Sequence, residues 1–267
     1  MDNLVNNIPD SRGVNAYTRD KYFSKLLEFY AGKDLLNQIE DKFIELGECV
    51  GSELEDLALS ADKNPPKLVK RLRNGSLTNT IEKHPDFIKL EKIAFEKFGL
   101  AAMSHRSGIF EMQNILPPII KYGMTFLFVQ NEFGLCCPVS MTDSLTRTLK
   151  KFGDEKLINK FFEQLTSQDI DELFQGAMFM TEQHAGSDVG SIDTIAENID
   201  GQWYLSGDKW FCSNPDADLA MVLARYDKKT LGTKGLSLFL LPKKLENGQP
   251  NNYEIIRLKD KLGGRSF

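Results

Sequence analysis

Apolar residues recur at every third or fourth position through the amino-terminal part of the chain, as they do in helices that bury one face. One series runs through Phe23, Leu26, Leu27 and Tyr30, and a second through Leu35, Leu36, Ile39, Phe43 and Leu46. Breaks fall at residues 62–66 and at the proline pair 117–118, and Gly153-Asp154 separates a helix end from a helix start. This spacing predicts helices up to about Asp171.

After Gln175 the apolar period changes to two. Trp203 and Leu205 follow Asp200-Gly201, a dipeptide typical of hairpin turns. Short aliphatic runs occupy residues 219–225 and 236–241, with glycines between them. Strands without intervening helices predict an antiparallel sheet or barrel, so we expect an α+β protein with a boundary near residue 175.

Composition narrows the class of protein. The 267 residues are 41% hydrophobic and 27% charged, typical of a globular protein large enough for two cores. The net charge of −5 offers no broad electrostatic basis for binding nucleic acid. Even residues 124–129, among the longest apolar runs, are far too short to cross a membrane.

The amino terminus and the cysteines predict a cytoplasmic location. Met1-Asp2-Asn3 lacks the basic and apolar regions of a signal peptide. The four cysteines show no Cys-x-x-Cys spacing and are expected to be free thiols in a reducing cytosol. The three histidines are too scattered to suggest a metal site.

The most informative stretch is residues 180–190, Met-Thr-Glu-Gln-His-Ala-Gly-Ser-Asp-Val-Gly. A short apolar run leads into it, so a strand is predicted to end in a glycine-containing loop. Such a loop offers hydroxyls and backbone N–H groups to a phosphate or a flavin ring. Four further motifs follow in order, at residues 207–214, 218–225, 235–242 and 258–266. The first reads Gly207-Asp208-Lys209-Trp210-Phe211-Cys212-Ser213-Asn214 and the last reads Leu258-Lys259-Asp260-Lys261-Leu262-Gly263-Gly264-Arg265-Ser266.

This ordered set resembles the flavin-binding middle domain of the acyl-CoA dehydrogenase family, and most of all its larger branch, which includes the alkylation-response protein. The resemblance is specific from about Phe174 to Phe267 and weaker back to about Ala94. One departure is Phe179, which stands where the family signature has a small residue and is expected to thicken one wall of the site.

The resemblance implies three segments. Residues 1–90 would form a helical extension, residues 91–175 the amino-terminal helical domain of the family, and residues 176–267 a flavin-binding middle domain resembling an antiparallel β-barrel. The carboxyl-terminal helical bundle of the family, which supplies the glutamate base, is absent from this sequence, so no catalytic residue is assigned. The sequence is expected to stop in a returning strand of the β-domain.

The resemblance also implies FAD as cofactor and oxidation of the CH–CH bond of acyl-CoA thioesters in fatty acid metabolism. Thr181 matches the position whose hydroxyl reaches the flavin N1–O2 edge. Ser187 matches the position at the pyrophosphate and at the rim of the acyl-CoA channel. The full set of predicted cofactor-binding residues is Met180, Thr181, Gly186, Ser187, Phe211, Cys212 and Ser213.

Each residue also has a structural interpretation. Thr181 and Ser187 alone would be a strand threonine and a turn hydroxyl, and Phe211 a core aromatic. Asp188 is expected to fix its loop by accepting backbone N–H bonds, and Glu182 to have a structural role. His184 is expected in an exposed loop. The Cys212 thiol is expected to pack as an apolar group, with its backbone toward the flavin.

Two functional classes remain open. The chain is either the amino-terminal part of an acyl-CoA dehydrogenase, active only with a helical bundle supplied by a partner chain, or a non-catalytic flavin-binding or DNA-protective protein of the alkylation-response type. The end of the sequence fits a fragment, a split gene product, a truncated remnant or a stable short form. The full-length form is expected to be a homo-oligomer.

Overall fold

The structure is a computed structural model that describes residues 11–267. Met1-Asp2-Asn3, on which the absence of a signal peptide rests, lies outside the described residues. The chain divides into two compact units. The first contains the described residues up to Pro65, Lys83–Cys136 and Leu262–Phe267, and the second contains Pro66–Glu82 and Cys137–Lys261. The predicted segment boundaries near residues 90 and 175 stay predictions.

The first unit is helical. Its helices are α1 (Ala16–Arg19), α2 (Lys21–Ala31), α3 (Lys33–Val50), α4 (Glu53–Lys63), α5 (Pro85–Glu91) and α6 (Pro118–Phe128), with a π-helical turn at Lys92–Lys97 and a 3₁₀ turn at Ile109–Glu111. The Asp20 side chain caps α2 by accepting the backbone N–H groups of Tyr22 and Phe23, both at 3.0 Å. Within residues 11–267, no helix has the length and apolar character needed to cross a membrane.

The core of the first unit follows the predicted spacing in α3 but not in α2, where Leu27 is buried and Leu26 and Tyr30 are exposed. Ile39, Phe43 and Leu46 of α3 are all fully buried, and the Phe43 ring stacks on Tyr17 with 5.3 Å between centroids. The last residues of the chain join this unit, where the Ser266 hydroxyl donates to the buried Glu132 carboxylate at 3.0 Å.

A β-hairpin in the second unit was not predicted. Strands β1 (Lys67–Arg71) and β2 (Leu77–Glu82) pair antiparallel, so the prediction of helices throughout the region up to Asp171 was wrong at this point. The signal was present, because Asn74-Gly75 is a typical hairpin turn and β-branched residues follow it.

The second unit contains a five-stranded sheet of β3 (Gly176–Phe179), β4 (Ile195–Ile199), β5 (Gln202–Ser206), β6 (Leu219–Arg225) and β7 (Leu236–Pro242). The α+β class is confirmed. The sheet is mixed, because β3 and β4 pair parallel to β6, whereas β4–β5 and β6–β7 are antiparallel. Among the described residues it closes no barrel, so the antiparallel barrel-like form was wrong. Parallel neighbours need a crossover, which the chain between β3 and β6 supplies.

Two helices pack on one face of this sheet. They are α7 (Cys136–Phe152) and α8 (Glu155–Leu165), separated as predicted, with Asp154 capping α8 through the Leu157 N–H at 2.8 Å. Leu145 and Phe161 meet Leu219 in one apolar cluster. At the start of β3 only glycine fits, since a Cβ on Gly176 would lie 2.9 Å from the Thr142 Cα. The helices therefore fix where β3 runs.

Residues 252–261 form no strand, so the expected returning strand is absent from the described chain. This segment is held by a side chain instead of a backbone ladder. Asn79 of β2 accepts the Ile255 N–H at 2.9 Å and donates to the Tyr253 carbonyl at 3.2 Å. A side-chain clamp satisfies these backbone groups without placing the segment in the sheet.

Candidate functional site

Two loops meet where β3 ends. The Trp210 N–H donates to the Thr181 carbonyl at 2.7 Å, and the Lys209 ammonium donates to the Met180 carbonyl at 3.1 Å. These bonds join residues 180–187 to residues 207–214, the two segments that contain every predicted cofactor-binding residue. The candidate site is therefore continuous in space as well as ordered in sequence.

Glu182 holds the two loops together. Its carboxylate, in a side chain that is only 7% exposed, accepts the Asp193 N–H at 2.6 Å, the Thr194 N–H at 3.0 Å and the Lys209 ammonium at 2.7 Å. The Thr194 hydroxyl donates to it as well. Burial alone would raise the pKa of this carboxyl, but the hydrogen bonds from Lys209 and Thr194 outweigh it and hold that pKa below its usual value.

The Glu182 carboxylate thus accepts hydrogen bonds from four donors inside the protein, three on Oε1 and one on Oε2. A general base needs a free lone pair directed at its substrate, so this geometry supports the predicted structural role and not catalysis.

The loop after Glu182 is fixed by the Asp188 side chain, whereas Gly186 and Ser187 in the same loop are exposed to solvent. Asp188 accepts the Gly190 N–H at 3.0 Å and the Ser191 hydroxyl at 2.6 Å, which confirms its loop-fixing role. Gly186 and Ser187 are exposed, as is His184, as predicted. A Cβ on Gly186 would meet nothing closer than the Thr181 Cγ2 at 3.7 Å, so the fold itself does not require glycine there.

The second loop carries backbone strain beside an exposed aromatic pair. Phe211 adopts φ of 58° and Asn214 φ of 55°, a left-handed region that non-glycine residues avoid. Asn214 is buried and secured by its side chain, which donates to the Gly176 carbonyl at 3.2 Å. Phe211 is 60% exposed, with its ring edge-on to Trp210 at 5.7 Å. Strain held at exposed residues is common at binding sites.

Cys212 and Phe179 pack in the core of the second unit. The Cys212 side chain packs against the cluster of Ala177, Phe179 and Val222, and burial raises the pKa of its thiol to about 11. It acts as an apolar group, as predicted. Phe179 lies in this same cluster and is 7% exposed, so its ring belongs to the core and does not thicken an open wall.

Several polar groups at the open edge have no hydrogen-bond partner among the residues that the structure describes. Across residues 11–267, no hydrogen bond uses the hydroxyls of Thr181, Ser187 or Ser213. In the same described region the backbone N–H groups of residues 211–213 are also unused. An exposed ring beside this row of free hydrogen-bonding groups suits a flat heteroaromatic ligand with polar edges, which is the chemistry of a flavin.

Sequence reasoning missed two cations at this edge. The Arg257 guanidinium lies 5.3 Å from the Trp210 ring centroid, and the Lys259 ammonium lies 4.3 Å from the Phe211 centroid. No periodicity links these residues to the loop at 207–214, because the unpredicted hairpin positions their segment. Among residues 11–267, no cluster of His, Cys, Asp or Glu side chains could hold a metal ion.

Comparison with known proteins decides the family. A model of the acyl-CoA dehydrogenase middle domain matches residues 177–267, and a model of the N-terminal domain of the adaptive response protein AidB matches residues 6–172, more than half of the chain. The chain belongs to the acyl-CoA dehydrogenase family. Its match to the AidB N-terminal domain places it in the branch that the sequence motifs indicated.

Among the curated relatives, acyl-CoA dehydrogenase family member 11 of Caenorhabditis elegans is 31% identical over 95% of this chain. The putative acyl-CoA dehydrogenase AidB of Escherichia coli is 32% identical over 85% of it. The chain covers 42% of the length of each of these proteins.

A solved structure of the Caenorhabditis elegans protein ACDH-11 in complex with C11-CoA superposes on 94% of the chain with a TM-score of 0.82 and 29% identity. This chain covers 43% of that structure. The likeness extends over both compact units.

Proposed function

We propose that the loops at residues 180–187 and 207–214 bind FAD, and that this chain is the flavin-binding part of an oxidoreductase acting on the CH–CH bond of acyl-CoA thioesters. The observation that supports it best is the exposed Phe211 ring beside free hydroxyls and backbone N–H groups. This edge lies within the region that matches the middle domain of the family.

The roles of the residues follow from their chemistry. The flavin would accept a hydride from the substrate, and its polar edge would gain negative charge as it did so. The Thr181 hydroxyl would donate to that edge, and donors placed where charge develops stabilise a transition state. Ser213 and the N–H groups of residues 211–213 would bind along the ring. Ser187, exposed on its loop, would face the phosphate-bearing parts of FAD and acyl-CoA.

We propose no general base among the described residues. The buried Glu182 carboxylate already accepts four hydrogen bonds inside the protein, and none of the seven predicted cofactor-binding residues is a base near neutral pH. We place the base in a carboxyl-terminal helical bundle of the family type, joined to this chain or supplied by a partner in a homo-oligomer. We propose the cytosol as the location. All four cysteines lie in the described region and are free thiols, as expected in a reducing compartment.

A second candidate function is flavin binding without dehydrogenation, as an alkylation-response protein. The match of residues 6–172 to the AidB N-terminal domain favours it. The net charge of −5 gives the chain no broad electrostatic basis for holding DNA by itself. Reduction of bound flavin by an acyl-CoA, in the presence of the complete bundle, separates the two functions.

The test is a titration of the purified chain with FAD, followed by flavin absorbance and fluorescence. Gly186→Val should weaken FAD binding by at least about tenfold, because its side chain would fill the approach to the backbone. Gly263→Val is the matched control, since a Cβ there meets nothing within 4 Å. Equal affinity in Gly186→Val and wild type would remove this loop from the site.

The same preparation tests where the base lies. With a panel of acyl-CoA thioesters and an electron-accepting dye, the chain alone should show no turnover, because no described site residue can remove the α-proton. Dye reduction by the pure chain would contradict the assignment of the base to the bundle.

A further inference from the structure

Residues 253–259 are held at the candidate site by the β1–β2 hairpin. Asn79 binds the backbone of Tyr253 and of Ile255, and the Lys70 ammonium lies 2.6 Å from the Glu254 carboxylate. Ile255 is buried, which fixes the segment from its other side. The two residues that follow at alternate positions, Arg257 and Lys259, are therefore carried by an anchored segment.

Both cations lie on the exposed aromatic pair. Arg257 is 5.3 Å from the Trp210 ring and Lys259 is 4.3 Å from the Phe211 ring. Both side chains belong to exposed residues, so these contacts leave most of each charge accessible to solvent. The two contacts place both charges beside the loop at 207–214, which also carries the free Ser213 hydroxyl.

The charges of Arg257 and Lys259 are not balanced. In the part of the chain that the structure describes, no carboxylate lies within ion-pair distance of either residue. Lys209, by contrast, is neutralised by Glu182 at 2.7 Å. Two cations without a carboxylate at ion-pair distance thus lie at the open edge, although the chain as a whole carries a net charge of −5. Two uncompensated cations beside free donors favour an anionic ligand.

We propose that Arg257 and Lys259 bind the phosphate groups of the ligand at this site and so select phosphate-bearing ligands over phosphate-free ones. This inference rests on the proposed function for the position of the site and extends it to what the site selects. Guanidinium and ammonium groups are the side chains that proteins use for phosphate. The phosphate could belong to the dinucleotide part of FAD or to coenzyme A.

The experiment compares four probes: FAD, flavin mononucleotide, riboflavin and coenzyme A. The three flavins share one ring system and differ in phosphate, so their relative affinities isolate the phosphate contribution. Wild type should bind FAD more tightly than riboflavin, and this preference should shrink as salt is raised. The arms with FAD and with coenzyme A separate the two phosphate sources.

The variant is the double substitution Arg257→Gln with Lys259→Gln. It should lower the affinity for whichever phosphate-bearing probe supplies the bound phosphate, FAD or coenzyme A, by about tenfold. The affinity for riboflavin should stay within about twofold of wild type. Lys151→Gln is the matched control, because Lys151 also lies over a phenylalanine ring, Phe152 at 5.2 Å, away from these loops. Its affinities should equal those of wild type. Circular dichroism verifies that each variant is folded.

The outcomes distinguish this inference from the proposed function. If FAD and riboflavin bind equally well, or the double variant loses both alike, the phosphate role is overturned while flavin binding stands. If no flavin binds but coenzyme A does, with a loss in the double variant, the phosphate role stands and flavin binding falls. Binding of no phosphate-bearing probe overturns both.

Discussion

Two neighbouring parts of the candidate site differ in how fully their polar groups are used. Around Glu182 both carboxylate oxygens accept hydrogen bonds, from four donors in all, and the Lys209 and Glu182 side chains are 8% and 7% exposed. Around Phe211 the ring is 60% exposed and the adjacent N–H groups have no partner within residues 11–267. The first part holds the loops together, and the second presents groups outward.

This difference separates residues that stabilise the loops from residues that would contact a ligand, in a site without a bound ligand. A buried carboxylate with all its partners stabilises the fold, and removing it harms the whole loop arrangement. An exposed, strained residue contributes little to stability, so its conformation requires another reason. The two parts should therefore respond in opposite ways to substitution.

The largest effect is expected from Glu182→Gln. It removes the charge that neutralises buried Lys209 and replaces one acceptor oxygen by a donor, which would face either the Asp193 N–H or the Thr194 N–H. Breaking one partner of a buried pair is expected to lower the free energy of unfolding by about 3 kcal/mol, or to prevent folding. Urea denaturation measures it.

The control for Glu182 is Glu197→Gln. Glu197 pairs with Lys228 at 2.8 Å, with both side chains more than half exposed. Loss of this exposed pair should change stability by less than about 1 kcal/mol. Similar losses in the two variants would mean that the Glu182 network does not support the loops.

The next largest effect is expected at Gly207. This glycine packs against Thr194, which donates hydrogen bonds to Glu182. Gly207 has φ of 150°, and a Cβ there would lie 2.6 Å from the Thr194 hydroxyl and 2.8 Å from the Thr194 Cα. Gly207→Ala should lower the free energy of unfolding by about 2 kcal/mol, because the backbone of the network must shift. Gly263→Ala, in open space, should leave the denaturation midpoint unchanged.

The stability that Glu182 contributes should depend on pH. The pKa of Glu182 is lower in the folded protein than the unfolded value of about 4.3. Its stabilisation is therefore complete above about pH 5 and is lost as the pH falls through the folded pKa. The stability difference between wild type and Glu182→Gln should shrink from about pH 6 to about pH 3. A difference that grows on acidification would contradict the assignment.

The smallest stability effect is expected on the exposed side. Phe211→Gly removes an exposed ring and relieves a positive φ, so the free energy of unfolding should stay within about 1 kcal/mol of wild type. FAD affinity should nevertheless fall, because the ring is the proposed contact. A large loss of stability, measured by thermal denaturation, would show that Phe211 is a core residue.

Sequence patterns predicted what depends on local spacing. The Asp200-Gly201 turn between β4 and β5, the strands β6 and β7, and the division between α7 and α8 all follow from neighbouring residues. The order of motifs also placed all seven candidate residues on two loops that the structure brings together.

What the patterns did not predict depends on partners far along the chain. Pairing of β3 parallel to β6 is decided by the crossover between them, which no local pattern encodes. The cations Arg257 and Lys259 reach the aromatic pair because Asn79 of the hairpin holds their segment. The Asn74-Gly75 turn could have revealed that hairpin, but nothing in the sequence links it to the site.

The most direct test of the central claim is amide hydrogen exchange of the purified chain with and without saturating FAD. FAD bound at this edge should give new protection in peptides covering residues 207–214 and 181–187, because N–H groups that lack partners would acquire them. Peptides covering residues 193–199, which the Glu182 carboxylate and the sheet already hold, should not change. Protection elsewhere, or none in residues 207–214, would contradict the placement of the flavin at this edge.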